Sequence, residues 1–123
     1  MPVSLVGMED VMKIDILETR NGITKLVLSG RMDVEGAMAA DMTFSVAAGA
    51  NKRLVVDLSD VTFMASLGLH TLMVSAKSMA NKGGKMILLN PQPNVEKVLE
   101  TTGVSTVIPI VHDMRSASTL LGV

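Results

Sequence analysis

A chain of 123 residues is the length of one domain, and with 48% of them hydrophobic it can bury one real core. Its 11 basic and 12 acidic side chains leave a formal net charge of -1 with no run of either sign, which excludes the basic stripe of a nucleic-acid-binding surface. The absence of cysteine removes disulfides, thiolate metal sites and cysteine nucleophiles, and Phe44 and Phe63, the only aromatics, are too few to stack single-stranded bases.

Residues 1–8 are mildly apolar but carry no positive charge, and Glu9-Asp10 closes them, so no targeting signal is expected. No apolar run reaches the roughly 18 residues of a membrane span, so a cytoplasmic protein without direct membrane insertion is expected. Residues 1–10 read as an extension and 11–123 as the domain. Residues 11–19 alternate loosely and predict a strand; Arg20-Asn21-Gly22 predicts a turn, and residues 23–29 a second strand, making a hairpin that Gly30 ends. Residues 34–48 predict a helix capped by Asp33 and stopped by Gly49, with Ala37, Ala40, Phe44, Ala47 and Ala48 on one face.

The apolar run 53–58 suits a strand covered on both faces, followed by a connection over 59–65. A helix over 66–82 follows, with Leu69, Leu72, Met73, Ala76 and Ala80 as its inner stripe and Gly83-Gly84 as its stop. Residues 85–90 predict a buried strand and 94–102 a helix with Val95, Val98 and Leu99 inward. A last strand over 106–110 and a helix capped by Asp113, carrying Met114, Ala117, Leu120 and Leu121, complete the chain. Strands and helices alternate after the hairpin, which predicts an α/β domain with a small, mixed, mostly parallel sheet and about four helices. The methionines, 11 in number, are expected to fill irregular core gaps in place of aromatics.

Few groups for catalysis are available. No glycine-rich phosphate loop follows a strand, no nucleophile elbow occurs, and His70 and His112 share no ligand spacing with carboxylates, so neither enzyme activity, cofactor nor metal is expected. His70 reads as an exposed helix residue. Asp57 stands near the end of a central strand, where receiver domains keep a phosphoaccepting aspartate. Such domains also need an acidic pair for Mg²⁺ and a lysine after a late strand, and the segment Gly30-Arg31-Met32-Asp33 and the apolar run 107–111 supply neither.

The stretch Asp57-Leu58-Ser59-Asp60-Val61-Thr62-Phe63-Met64-Ala65-Ser66-Leu67-Gly68-Leu69 resembles the signature of the STAS family, the domain shared by sulphate transporters and anti-sigma-factor antagonists. Leu28-Ser29-Gly30-Arg31-Met32-Asp33 is similar to a second family motif, and Gly83-Gly84-Lys85, Pro93, Val95, Leu99, Thr102-Gly103-Val104 and Ile108 follow the family's later half in order. The resemblance implies the STAS fold and the anti-sigma-factor-antagonist type of function. On that pattern Ser66 falls on the serine that a dedicated kinase phosphorylates; the kinase, a histidine-kinase-like ATPase, is itself the anti-sigma factor, and a serine phosphatase resets the cycle.

The resemblance further implies a partner-binding surface at Asp33, Ala65, Ser66, Leu67 and Gly68. Asp57 and Ser59 also match the pattern and read as supports of the loop through side-chain-to-backbone bonds. The residue mechanics alone read Ser66 as a helix cap. Two departures from the family are visible: Ala65 where Asp is usual, and Leu67 where a small residue is common. They also fit a different member of the family, a non-cycling STAS subunit of a transporter or signalling assembly.

Overall fold

The computed structural model describes residues 12–19 and 21–123. The extension over 1–10 and the first residue of the turn, Arg20, lie outside the described residues. Five strands form one sheet in sequence order. Strand β1 (Lys13–Glu18) is an edge and pairs antiparallel with β2 (Thr24–Met32), Lys13 standing opposite Ser29 and Glu18 opposite Thr24. β2 pairs parallel with β3 (Arg53–Met64), β3 with β4 (Lys85–Leu89), and β4 with β5 (Ile110–Val111).

Helix α1 (Val34–Ala50) joins β2 to β3, α2 (Ser66–Asn81) joins β3 to β4, and α3 (Pro93–Thr101) leads on towards β5. α4 (Met114–Leu121) ends the chain. Pairing in the direction the hairpin and the crossovers predict gives the expected mixed, mostly parallel sheet with four helices.

The helices sort onto the two faces by the alternation of strand side chains. Leu26, Leu28, Leu54, Val56, Leu58, Met86 and Leu88 point to the face that packs Ala37, Ala40 and Phe44 of α1, Leu69, Leu72 and Met79 of α2, and Val95 and Leu99 of α3. On the other face Ile23, Val55, Ile87, Leu89 and Val111 pack Ala117 and Leu121 of α4. α1 presents the inner face its sequence predicts, and its small residues let it lie close to the sheet. Its C-terminal end is tied to the foot of β2: the Thr24 hydroxyl donates to Asn51 Oδ1 at 2.7 Å, and Asn51 Nδ2 donates to the Ala47 carbonyl at 3.0 Å.

Five expectations are corrected. β2 does not end at Gly30, and β3 does not end at Leu58, because the two strands go on pairing as far as Met32 and Met64. α1 runs through Gly49 to Ala50. The inner stripe of α2 is rotated: Gly68, Thr71, Ser75 and Met79 are buried, while Ala80 is exposed and Met73 and Ala76 are only half-buried. Met79, adaptable in shape, takes the core position that period counting gives to Ala80. The strand expected over 106–110 is reduced to the two residues of β5: residues 104–106 are a short 3-10 turn entered through Gly103 at φ 82°, and Pro109 has no N–H to give a ladder.

Candidate functional site

The surface of interest lies where β2 and β3 end and α1 and α2 begin. Both crossovers leave the sheet on the same side from neighbouring parallel strands, so the two helix starts are neighbours. Met32 stands opposite Met64, and the Ala65 N–H donates to the Met32 carbonyl at 2.9 Å. This places Asp33 and Ser66, far apart in sequence, at one edge of the domain.

The end of β3 is shaped by two irregularities. Between the pairs Val27–Asp57 and Ser29–Asp60, and again between Gly30–Val61 and Arg31–Phe63, β3 spends one more residue than β2. Bulges of this kind bend the strand and re-aim its side chains. At the first, Asp57 turns its carboxylate onto its own chain: Oδ1 accepts from the Ser59 N–H at 2.9 Å and from the Ser59 hydroxyl at 2.7 Å, while Oδ2 faces Lys25 Nζ at 3.5 Å. Asp57 is therefore a bracket for the strand, in keeping with the supporting role read from the sequence, and its oxygens are engaged. Gln92 Nε2 donates to the Ser59 carbonyl at 2.9 Å and Asn94 Nδ2 to the Thr62 carbonyl at 3.0 Å, so the start of α3 braces the same stretch. At the second irregularity the Arg31 guanidinium sits over the Phe63 ring, 4.5 Å from its centroid. This pairing of a cation with an exposed aromatic face is invisible in the sequence, because only the bulged register brings residues 31 and 63 together.

Asp33 caps α1, as the sequence predicts: its Oδ1 accepts from the Gly36 N–H at 2.9 Å, and its Oδ2 lies 3.4 Å from Arg31 Nε. The Gly36 hydrogen bond, with Arg31 adding to it, holds the Asp33 carboxyl below the usual carboxylate range, so it is a standing negative charge at neutral pH. Gly36 is buried beneath it, against the Arg31 carbonyl.

Ser66 is not the cap of α2. Ala65 holds that position, with extended backbone, and no side chain caps the helix. The first intrahelical bond is from the Leu69 N–H to the Ala65 carbonyl at 3.1 Å, so the amides of Ser66, Leu67 and Gly68 precede the bonded ladder. Ser66 is the first helical residue and is exposed, and among the described residues its hydroxyl makes no hydrogen bond. A helix start of this kind carries about half a positive charge and accepts a phosphate without disturbance of the fold.

Leu67 lies at the rim beside it, 36% exposed, and lines a groove between α1 and α2 together with Ala37, Met38, Asp41, His70 and Thr71. His70 is exposed, as expected. Gly68, placed by the sequence reading on the partner-facing surface, is buried: a β-carbon there would run into the Met32 side chain, with Met64 Sδ at 2.8 Å and the Met32 carbonyl at 3.1 Å. Its role is to let α2 approach β2.

Among the described residues no group of three or more metal-ligating side chains gathers, and no helix is long and apolar enough to cross a membrane.

The missing cap makes a measurable statement about the site. Ala65→Asp supplies an oxygen to the free amides of α2 and is expected to stabilise the domain by about 1 kcal/mol. That raises the melting temperature by roughly 4 °C in a domain of this size. An unchanged or lower melting temperature would show that these amides are already satisfied.

Fold and edge together define the class: an α/β domain that presents a hydroxyl at an uncapped helix start, set in a surface of mixed apolar and charged side chains. The STAS domain profile matches residues 16–117. The chain belongs to the STAS domain family. It is 27% identical over 109 residues to the anti-sigma F factor antagonist of Paenibacillus polymyxa, covering 87% of this chain and 93% of that one. Its fold is that of an anti-sigma factor antagonist from Mycobacterium paratuberculosis, with a TM-score of 0.81, 23% identity, and 93% and 97% of the two chains covered. The same holds for the Bacillus protein SpoIIAA in its unphosphorylated form, with a TM-score of 0.75, 19% identity and coverages of 90% and 98%.

Proposed function

We propose that this protein is an anti-sigma factor antagonist that works by partner switching at Ser66. In the unphosphorylated state the edge built from Arg31, Asp33, Phe63, Ser66 and Leu67 docks an anti-sigma factor that is also a serine kinase of the histidine-kinase-like ATPase type. The Ser66 hydroxyl receives the γ-phosphoryl group of ATP in that complex, the complex separates, and a serine phosphatase restores the hydroxyl. The observation that carries this reading is the exposed, unbonded hydroxyl on the first residue of an uncapped helix. The curated relative is called an anti-sigma F factor antagonist, and SpoIIAA is known in both an unphosphorylated and a phosphorylated form, which supports the reading.

The physics of the switch is local. Phosphate adds about −1.5 to −2 charge at neutral pH. The helix start tolerates it, so the core is untouched. Asp33 already stands negative at the same edge. A partner surface matched to the neutral hydroxyl must then bury a dianion, through repulsion and lost hydration.

The test is phosphate transfer. Wild type and Ser66→Ala are incubated with the cognate kinase and ATP, and the intact proteins are weighed by mass spectrometry. Wild type is expected to gain a single phosphate and Ser66→Ala none; equal labelling of both removes Ser66 from the scheme. Protein recovered from its own cells in a stable membrane or scaffold complex, and never phosphorylated, would instead identify a non-cycling STAS subunit.

A further inference from the structure

Helix α1 is apolar on the wrong side as well as the right one. Opposite its buried face stand Val34, Met38, Met42 and Val46, four residues apart, with exposures of 56%, 68%, 76% and 65%. Ile16 of β1, also exposed, extends the patch through a shallow depression shared with Ala39, Met42, Val46 and Ala50. A surface helix ordinarily turns charged and polar residues outward. A contiguous apolar stripe of this kind marks an interaction surface, and methionine suits one because its side chain adapts to the facing shape.

The charges around the stripe say what covers it. Glu35 lies seven residues before Met42, and Gly49 lies seven residues after it. Beside Gly49 stands Lys82, the residue that follows α2, its Nζ 3.7 Å from where a Gly49 β-carbon would be. One end of the stripe therefore carries a carboxylate and the other an ammonium, each about 10 Å along the helix from Met42. Among the described residues neither Glu35 nor Lys82 is in an ion pair.

Such a surface is complementary to itself turned end for end. We propose that the α1 stripe binds a second copy of this chain across a two-fold axis at Met42, with the two α1 helices antiparallel. Met42 then meets Met42, Met38 meets Val46, Val34 meets Ala50, and each Glu35 meets the Lys82 of the other copy. A parallel arrangement would instead set Glu35 against Glu35. The contact is isologous, so it closes at a dimer. Ser66 lies on α2, outside the stripe, while Met38 shares a groove with Leu67 of the docking edge, so the two surfaces adjoin.

Sedimentation equilibrium of the full chain from low to high micromolar concentration tests this. Wild type is expected to pass from monomer to dimer. Met42→Glu and, separately, Val46→Lys are expected to stay monomeric, with circular dichroism identical to wild type because both side chains are mostly exposed. Glu35→Lys and Lys82→Glu are each expected to weaken the dimer about tenfold, and the combined exchange to restore it, because each charge then finds its opposite again. A wild-type chain that is monomeric throughout, or a dimer indifferent to Met42→Glu, overturns the proposal and leaves the stripe to a different protein. A dimer that forms only once residues 1–11 are removed overturns it too, and assigns the stripe to the chain's own N-terminal segment. Failure of the combined exchange to restore association overturns the antiparallel arrangement.

Discussion

On the proposed function, Ser66→Asp is expected to weaken binding to an anti-sigma factor at least thirtyfold, about 2 kcal/mol, with no loss of fold. Two effects of the same charge act in opposite directions. Within the domain, a carboxylate in the first turn of α2 faces amides that no side chain caps, a placement worth about 0.3–1 kcal/mol in favour of the folded state. In the complex, that carboxylate must lose its water against a surface fitted to a neutral hydroxyl, and like-charge contact in an interface costs several kcal/mol. The second effect is the larger, so affinity falls while thermal stability holds or rises slightly.

Calorimetric titration alongside thermal melting separates the two. Ser66→Ala, which adds no charge, is expected to bind nearly as wild type. An affinity unchanged by Ser66→Asp would sink the switch even if Ser66 proved to be phosphorylated, because phosphate would then have no means of ending the complex.

Gly36→Ala is expected to cost about 3 kcal/mol, a lowering of the melting temperature by more than about 10 °C. In most helices this change is favourable, since alanine gains up to roughly 1 kcal/mol over glycine. Here the added methyl would overlap the Arg31 carbonyl oxygen, with the Arg31 carbonyl carbon at 3.2 Å. Those atoms are backbone of β2, opposite the second bulge of β3, and cannot swing aside as a side chain would.

Gly68→Ala gives the comparison. Its methyl would meet chiefly the flexible Met32 and Met64 side chains, although the Met32 carbonyl at 3.1 Å limits the relief. A smaller loss, about 1–2 kcal/mol, is expected there. Urea unfolding of both variants measures the difference; a neutral or stabilising Gly36→Ala would mean that α1 does not lie this close to β2. The same two contacts fix the helix starts on the strand ends, which is how the domain holds an exposed serine and an exposed arginine in constant relation.

Ser66 shows how far the sequence carries. Its place at a loop-to-helix transition is legible from the apolar run before it and the helical period after it, and the family resemblance marks it out. That it is the first helical residue and not the cap is a difference of a single position, set by where the Ala65 N–H finds the Met32 carbonyl. No local pattern encodes a bond to a residue so distant in the chain. The Arg31–Phe63 pair is hidden for the same reason: it exists because β3 takes two extra residues against β2. Gly68 looks like part of an exposed motif, yet it is a spacer, and only the neighbouring strand reveals that.

What the sequence determined by itself is whatever rests on short-range physics. The caps at Asp33 and Asp113, the inner face of α1, the hairpin, and the alternation of strand and helix that makes a parallel sheet all follow from local hydrogen bonding and from periodicity. What only the tertiary structure decided is whatever depends on two strands choosing a register: the length of β3, the reduction of β5, the rotation of α2, and the meeting of Asp33, Arg31, Phe63 and Ser66 at one edge. Register is settled by the packing of whole faces, in which each strand's fit depends on its neighbours, and that sum is not written in any single segment.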